Sequence, residues 1–141
     1  MNTSRYLLAA LVIIGGSVAL HAGVEQTGEK KLETRVFELR TYYANPGKME
    51  ALHARFRDHT NKLLEKHGMQ LIGFWTDSKE PQRKLIYLVG HKNKATADAS
   101  WKAFGADPDW KVARDNSEKG GKLVEKVDVT WLNPTDYSAM K

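Results

Sequence analysis

The pattern of hydrophobic and polar positions predicts four β-strands, each recognisable from a run of apolar or alternating residues. β-Branched and aromatic residues dominate the first run, the two middle runs are apolar almost throughout, and the last alternates hydrophobic with polar positions. Turn-forming residues end these runs, such as Asn45-Pro46-Gly47 after the first and Asn133-Pro134 after the last. The strands are predicted at 35–43, 69–76, 85–91 and 123–132.

Two helical regions are predicted between these strands. Over 48–67, large apolar residues recur every three or four positions, and Gly68 ends this long amphipathic helix. The second region begins after Asn93, whose side chain can cap a helix, and a short further helix begins at Pro108 with Asp107 as its cap. The resulting order, β-α-β-β-α-β, is typical of an α+β ferredoxin-like domain.

The middle strands are apolar on both faces, which bears on how the protein assembles. Alternation places Leu71 and Trp75 on one face of the second strand, and Ile72 and Phe74 on the other. Two amphipathic helices cover only one face of a four-stranded sheet. We therefore expect the second face to be buried by a second copy of the chain, in a homodimer.

The first 22 residues have the pattern of a secretory signal peptide. Arg5 precedes an apolar stretch of about 15 residues, shorter than the ~20 that a membrane-spanning helix needs. Small residues allow cleavage after Ala19 or after Ala22, and we choose Ala22 because it ends the apolar run. The alternative is an uncleaved N-terminal anchor. We expect export to the periplasm or the extracellular space, with no stable membrane insertion after cleavage.

The expected organisation is therefore a single folded domain behind an export signal. The segments are a signal peptide at 1–22, a polar, flexible lead-in at 23–34, the domain at 35–134 and a C-terminal tail at 135–141.

Composition and charge narrow the function classes. The 141 residues include 22 Lys+Arg and 17 Asp+Glu, and the basic residues are scattered, so we expect no nucleic-acid partner. The absence of cysteine excludes disulfides, thiolate metal sites and a lipid-modified N-terminus. The sequence has no His-x-x-x-His pair, no glycine-rich phosphate loop and no Gly-x-Ser-x-Gly motif, so we expect neither a metal nor a cofactor.

Several short motifs, taken in order and spacing, resemble the NIPSNAP family across about residues 35–132. They are Phe37-Glu38-Leu39-Arg40-Thr41-Tyr42 with Pro46-Gly47-Lys48, Lys66-His67-Gly68-Met69 leading into Gly73-Phe74-Trp75, and Trp101-Lys102-Ala103-Phe104 with Asp107-Pro108-Asp109-Trp110. The resemblance implies a dimeric α/β barrel, in agreement with the sheet-face argument. The family has no settled activity, although related barrels include cofactor-free monooxygenases and haem-binding enzymes. Members first assigned to it are mitochondrial and linked to vesicle or organelle quality control, whereas this chain is short, single-domain and carries an export signal.

His59 is the first candidate for a functional residue. It falls on the apolar stripe of the long helix, between Phe56 and Leu63, and is expected to point at the sheet. It is either a general base or ligand-binding group in a cavity between helix and sheet, or a core histidine hydrogen-bonded to a neighbour. His67 ends the same helix, where a cation complements the helix dipole.

An arginine and several aromatic residues complete the candidate site. Glu38 and Arg40 share a strand face with Tyr42 and form either a salt-linked pair or a site where the guanidinium holds a ligand carboxylate or phosphate. The aromatic residues are interpreted as core and interface anchors in preference to a cofactor-binding set. The predicted ligand-binding residues are His59, Arg40, Tyr42, Trp75, Tyr87 and Trp101.

Two function classes follow from these observations. We favour a non-catalytic dimer that binds a small ligand, for which an aromatic compound is the candidate, or a partner protein. The alternative is a barrel enzyme, monooxygenase-like or haem-binding, that acts on an aromatic or quinone-like compound with His59 as the candidate catalytic residue. An enclosed pocket that contains His59 and an aromatic wall favours the enzyme, whereas a filled core favours the binding protein.

Overall fold

The computed structural model describes residues 35–141, so the signal peptide and lead-in expected at 1–22 and 23–34 lie outside the described residues. Its strands are β1 (Val36–Ala44), β2 (Gln70–Thr76), β3 (Lys84–His91) and β4 (Val124–Leu132). They form one antiparallel sheet in the spatial order β2-β3-β1-β4. The four predicted strands are confirmed to within about two residues at each end.

Helices connect β1 to β2 and β3 to β4. They are α1 (Met49–Arg55), a π-helical segment (Phe56–Thr60), α2 (Asn61–Lys66), α3 (Lys94–Ala106) and α4 (Pro108–Ser117). This element order and the sheet topology confirm the predicted α+β ferredoxin-like fold. Within residues 35–141, no helix has the length and hydrophobicity needed to span a membrane.

The two helix starts predicted from capping residues are confirmed. The Asn93 Oδ1 atom accepts a hydrogen bond from the backbone N–H of Thr96 over 2.8 Å, and Asp107 Oδ1 accepts one from Asp109 over 2.8 Å. Pro108 occupies the first turn of α4, where its missing N–H leaves no intrahelical bond unmade. The second cap separates α3 from α4 and allows α4 to pack against both α1 and α3.

The helical region after β1 is continuous, but its middle is π-helical rather than α-helical. A π-helical turn holds more residues than an α-helical turn, so it rotates the following side chains around the helix axis. As a result Phe56 and Thr60 are buried and His59 is exposed. The Thr60 hydroxyl donates a hydrogen bond to the Arg55 carbonyl over 3.2 Å. The prediction that His59 points at the sheet is therefore wrong, because Thr60 takes the inward position.

A β-bulge in β2 changes the predicted distribution of side chains between the two faces. Leu71 pairs with Val89 and Phe74 pairs with Tyr87, and these two residues of β3 share a face. The register shifts between Leu71 and Gly73, so one residue of β2 has no partner. Leu71 and Phe74 consequently lie on the same face, whereas strict alternation had placed them on opposite faces.

The hydrophobic core lies between the helices and one face of the sheet, which we call the inner face. Tyr42, Tyr87 and Val89 belong to this face and pack beneath α1, α2 and α3. The other core residues are Ala44, Met49, Leu52, Phe56, Leu63, Leu64, Met69, Leu85, Phe104 and Leu123. The sheet and the helices therefore enclose a filled apolar layer.

The opposite face of the sheet, the outer face, is partly covered by the end of the chain. Phe37 and Leu88 lie on this face and are buried. Together with Pro134 and Met140 they line a cavity of about 290 Å³. The residues after β4 therefore lie against one end of the outer face, a contact that the sequence pattern did not predict.

Candidate functional site

A buried carboxylate organises the polar residues on the inner face. Glu38 on β1 is only 1% exposed. Its Oε2 atom accepts a hydrogen bond from Trp101 Nε1 over 2.6 Å and lies 3.1 Å from His91 Nε2, while Oε1 pairs with Arg40. We call these four residues the Glu38 cluster. It ties together β1, the end of β3 and the middle of α3.

Glu38 remains ionised in this setting. Burial alone would raise the pKa of Glu38, but hydrogen bonds from His91 and Trp101 and the charge of Arg40 together outweigh burial and lower it. Because Glu38 is an acceptor, the hydrogen between it and His91 lies on His91 Nε2. Both carboxylate oxygens accept hydrogen bonds from side chains of the protein, which hold the carboxylate in place.

Arg40 is held between this carboxylate and two aromatic rings. Its guanidinium carbon lies 4.1 Å from the centroid of a Trp101 ring and 5.8 Å from that of Tyr42. The Nε atom of Arg40 is buried and has no hydrogen-bond partner, and the side chain as a whole is 16% exposed. The salt-linked pair with Glu38 is therefore present, and the guanidinium keeps unused hydrogen-bonding capacity.

The Glu38 cluster borders an open apolar surface on the edge strand β4. Val127, Val129 and Trp131 pair in register with successive inner-face residues of β1, and they are 36%, 43% and 37% exposed. We call these three residues the β4 strip. The His91 ring lies 5.9 Å from the Trp131 ring, and Lys94 Nζ lies 4.5 Å from the centroid of the same indole. The polar cluster and the apolar strip thus form one continuous surface with both ionic and aromatic groups.

Two tyrosines connect this surface to the aromatic core. The Tyr87 hydroxyl donates a hydrogen bond to the Tyr42 hydroxyl over 3.1 Å, and their ring centroids are 5.3 Å apart. Burial raises the pKa of Tyr87 well above its usual value, so this phenol stays neutral. Phe56 and Phe74 pack against Tyr87 with centroid distances of 5.3 and 5.4 Å.

The structure brings four of the six predicted ligand-binding residues together, namely Arg40, Tyr42, Tyr87 and Trp101. Trp75 lies elsewhere, on the outer face where it pairs with Ile86, and it is 52% exposed.

His59 also lies away from this group. It lines an open depression of about 390 Å³ between the helical region and α4, beside Asp109, Val112 and Asn116. No Phe, Tyr or Trp lines this depression. His59 therefore does not share this depression with an aromatic wall. That combination was the one expected to favour an enzyme.

Sequence reasoning did not select His91, although a signal for it was present. Every second residue of β3 points to the same face of the sheet. His91 is therefore on the inner face with Leu85, Tyr87 and Val89. Its proximity to Glu38 depends on the register between β3 and β1, in which Glu38 pairs with Val89. That register is a tertiary property.

His67 has a partner that the sequence interpretation did not include. Its Nε2 atom lies 2.7 Å from Oδ2 of Asp107, the residue that caps α4. The Lys66 ammonium is 2.9 Å from the same oxygen, and these two contacts hold the pKa of Asp107 far below its usual value. These contacts join the end of α2 to the start of α4.

Within residues 35–141, no three His, Asp or Glu side chains are grouped as a metal site requires.

Comparisons with known proteins agree with this fold. Residues 37–139 match the family model described as NIPSNAP. A NIPSNAP family protein of unknown function from Agrobacterium tumefaciens has a crystal structure with a TM-score of 0.68 and 17% identity, covering 78% of this chain and 96% of that one. An uncharacterised NIPSNAP-like domain protein from Burkholderia xenovorans gives a TM-score of 0.66 at 17% identity, with coverage of 75% and 90%. No curated protein matches the chain.

Proposed function

The chain belongs to the NIPSNAP family, and on that premise we propose that it is an exported homodimer that binds a small aromatic organic acid without catalysing its conversion. Arg40 carries this proposal. Its guanidinium is immobilised by Glu38 and stacked on Trp101, has an unpaired Nε atom, and pairs across the strands with the exposed Val129. A positioned guanidinium recognises a carboxylate, and the neighbouring β4 strip offers apolar surface to an aromatic body.

The absence of catalysis in this proposal rests on the state of the surrounding groups. Glu38 accepts hydrogen bonds from Arg40, His91 and Trp101, and its lowered pKa makes it a poor general base at neutral pH, which supports a structural role. Tyr87 stays neutral and donates its hydroxyl hydrogen to Tyr42. His59, the candidate general base, lies in the depression beside α4, away from this surface.

Titration calorimetry with 2-naphthoate and its uncharged analogue 2-naphthamide tests the ligand class. We expect naphthoate to bind more tightly than naphthamide, and Arg40→Met to weaken naphthoate about tenfold or more because a charged hydrogen bond is lost. Arg114→Met is the matched control, since the Arg114 side chain is exposed and pairs with Asp115. Equal affinities for the two compounds, or an unchanged affinity in Arg40→Met, would contradict the proposal.

Export is proposed from the N-terminal pattern of Arg5 followed by the apolar stretch. Protein recovered from its native envelope should begin at Gly23, which intact-mass measurement detects directly. Recovery of a chain that retains Met1 in the membrane pellet would instead support the uncleaved anchor.

A further inference from the structure

A second concave surface, which shares no residue with the Glu38 cluster or the β4 strip, lies between the first helical region and β2. We call it the β2 groove. It has a volume of about 370 Å³, within the range of small-molecule pockets. Its walls include the Phe56 and Phe74 side chains, and its polar lining includes His53, Arg57 and Asn61.

Asn61 is the unusual member of this lining. Its Oδ1 atom is buried and has no hydrogen-bond partner, as is also true of Arg40 Nε, Arg55 Nε and His91 Nδ1, none of which lines the groove. Leaving a buried amide oxygen unpaired is unfavourable for folding, so such an atom calls for an explanation. Asn61 directly follows the π-helical segment, and π-helical turns occur frequently at functional sites. Because this oxygen has almost no accessible surface, the Asn61 side chain would have to turn towards the groove for a ligand N–H or O–H to satisfy it.

The apolar walls indicate the rest of the ligand. The Phe56 and Phe74 rings meet edge to face with centroids 5.8 Å apart. Aromatic side chains in this arrangement accommodate a flat ring by stacking and edge contacts. Arg57, the permanent cation of the groove, is already paired with Glu50 at 3.1 Å, and both side chains are well exposed. Charge recognition is therefore weak here, in contrast to the surface around Arg40.

We propose that the β2 groove is a binding site for a neutral, flat aromatic molecule with one edge N–H or O–H group, which donates its hydrogen to Asn61 Oδ1. This site goes beyond the organic-acid site proposed above, and neither proposal depends on the other.

Indole and N-methylindole are the probes, because they share a ring system and differ in the N–H donor. We would titrate each into the uniformly ¹⁵N-labelled protein and follow the amide resonances of residues 53–61 and 74–76. Indole should shift these resonances and bind about tenfold more tightly than N-methylindole, the effect expected of one hydrogen bond to a buried acceptor.

Variants of Asn61 test its assigned role. Asn61→Leu removes the unpaired oxygen and should equalise the two probes by weakening indole alone. Asn61→Asp keeps an acceptor and should preserve the preference for indole, which also tests the role should the leucine variant fold poorly. Asn116→Leu, the same change at an exposed asparagine in the depression beside α4, should leave the preference intact. The proposal is overturned if indole leaves the groove resonances unmoved, if wild type does not distinguish the probes, or if Asn61→Leu retains the preference.

Discussion

The Trp101 indole donates its N–H to Glu38 over 2.6 Å and thereby joins the middle of α3 to β1, two elements 63 residues apart in the sequence. The same carboxylate pairs with Arg40 and contacts His91, so one buried anion orients a cation, an imidazole and an indole. Buried charges need such compensation, because an unpaired ion in the interior is strongly destabilising. Glu38 is therefore the structural centre of the organic-acid site proposed above.

Glu38→Gln should destabilise the fold by about 3 kcal/mol, since it preserves the shape of the side chain but leaves Arg40 without its buried counter-ion. Urea denaturation at neutral pH measures this change. Glu125→Gln is the control because Glu125 pairs with Arg83 at an exposed position, where an ion pair contributes about 1 kcal/mol or less. Similar losses in the two variants would show that the Glu38 cluster has no special role in stability.

The stability of the protein should also depend on pH through Glu38. Because the pKa of Glu38 is lower in the folded state than its ordinary value of 4.5, the unfolded chain binds more protons as the solution becomes acidic. The contribution is fully present above pH 4.5 and is lost as the pH falls through the lowered folded-state pKa. The difference in unfolding free energy between wild type and Glu38→Gln should therefore shrink as the pH falls below 4.5. A difference that stays constant over this range would argue against an ionised Glu38.

The π-helical segment predicts that substitutions at two adjacent residues, His59 and Thr60, differ in their effect on stability. His59→Leu should change the free energy of unfolding by no more than about 0.5 kcal/mol, because His59 is exposed. Thr60→Val should cost about 1 kcal/mol, since it removes the buried hydroxyl that donates to the Arg55 carbonyl. Thermal and urea unfolding of both variants beside wild type give the comparison. If His59→Leu lowers the free energy of unfolding more than Thr60→Val does, then His59, and not Thr60, is the residue buried against the sheet.

The homodimer can be tested on the outer face of the sheet. Leu39, Ile86 and the exposed Trp75 lie there, on the face opposite the helices. Light scattering after size exclusion should give about twice the mature mass at micromolar concentration. Ile86→Lys places a charge in the proposed interface and should shift the protein towards monomer, whereas Val112→Lys, an exposed position on α4, should not. A wild-type protein that remains monomeric at high concentration would contradict the proposed dimer.

The sequence by itself determined the order of elements and the points where they begin. Strand alternation, the caps at Asn93 and Asp107, and the stop at Gly68 depend on neighbouring residues, so their physical causes are visible in a short window. The common strand face of Arg40 and Tyr42 follows from the same local period.

Only the tertiary structure determined which of the predicted site residues lie close together. A regular helical period places His59 inward, but the π-helical segment rotates Thr60 into that position, and the bulge in β2 likewise moves Phe74 to the inner face. The π-helical segment shifts the side-chain period by a fraction of a turn and the bulge shifts it by one residue. Gly73, at the bulge, is a local signal in the sequence, because glycine inside a strand often accompanies a bulge. The meeting of Glu38 with His91 and Trp101 depends on strand register and helix packing, which are contacts between segments more than 50 residues apart.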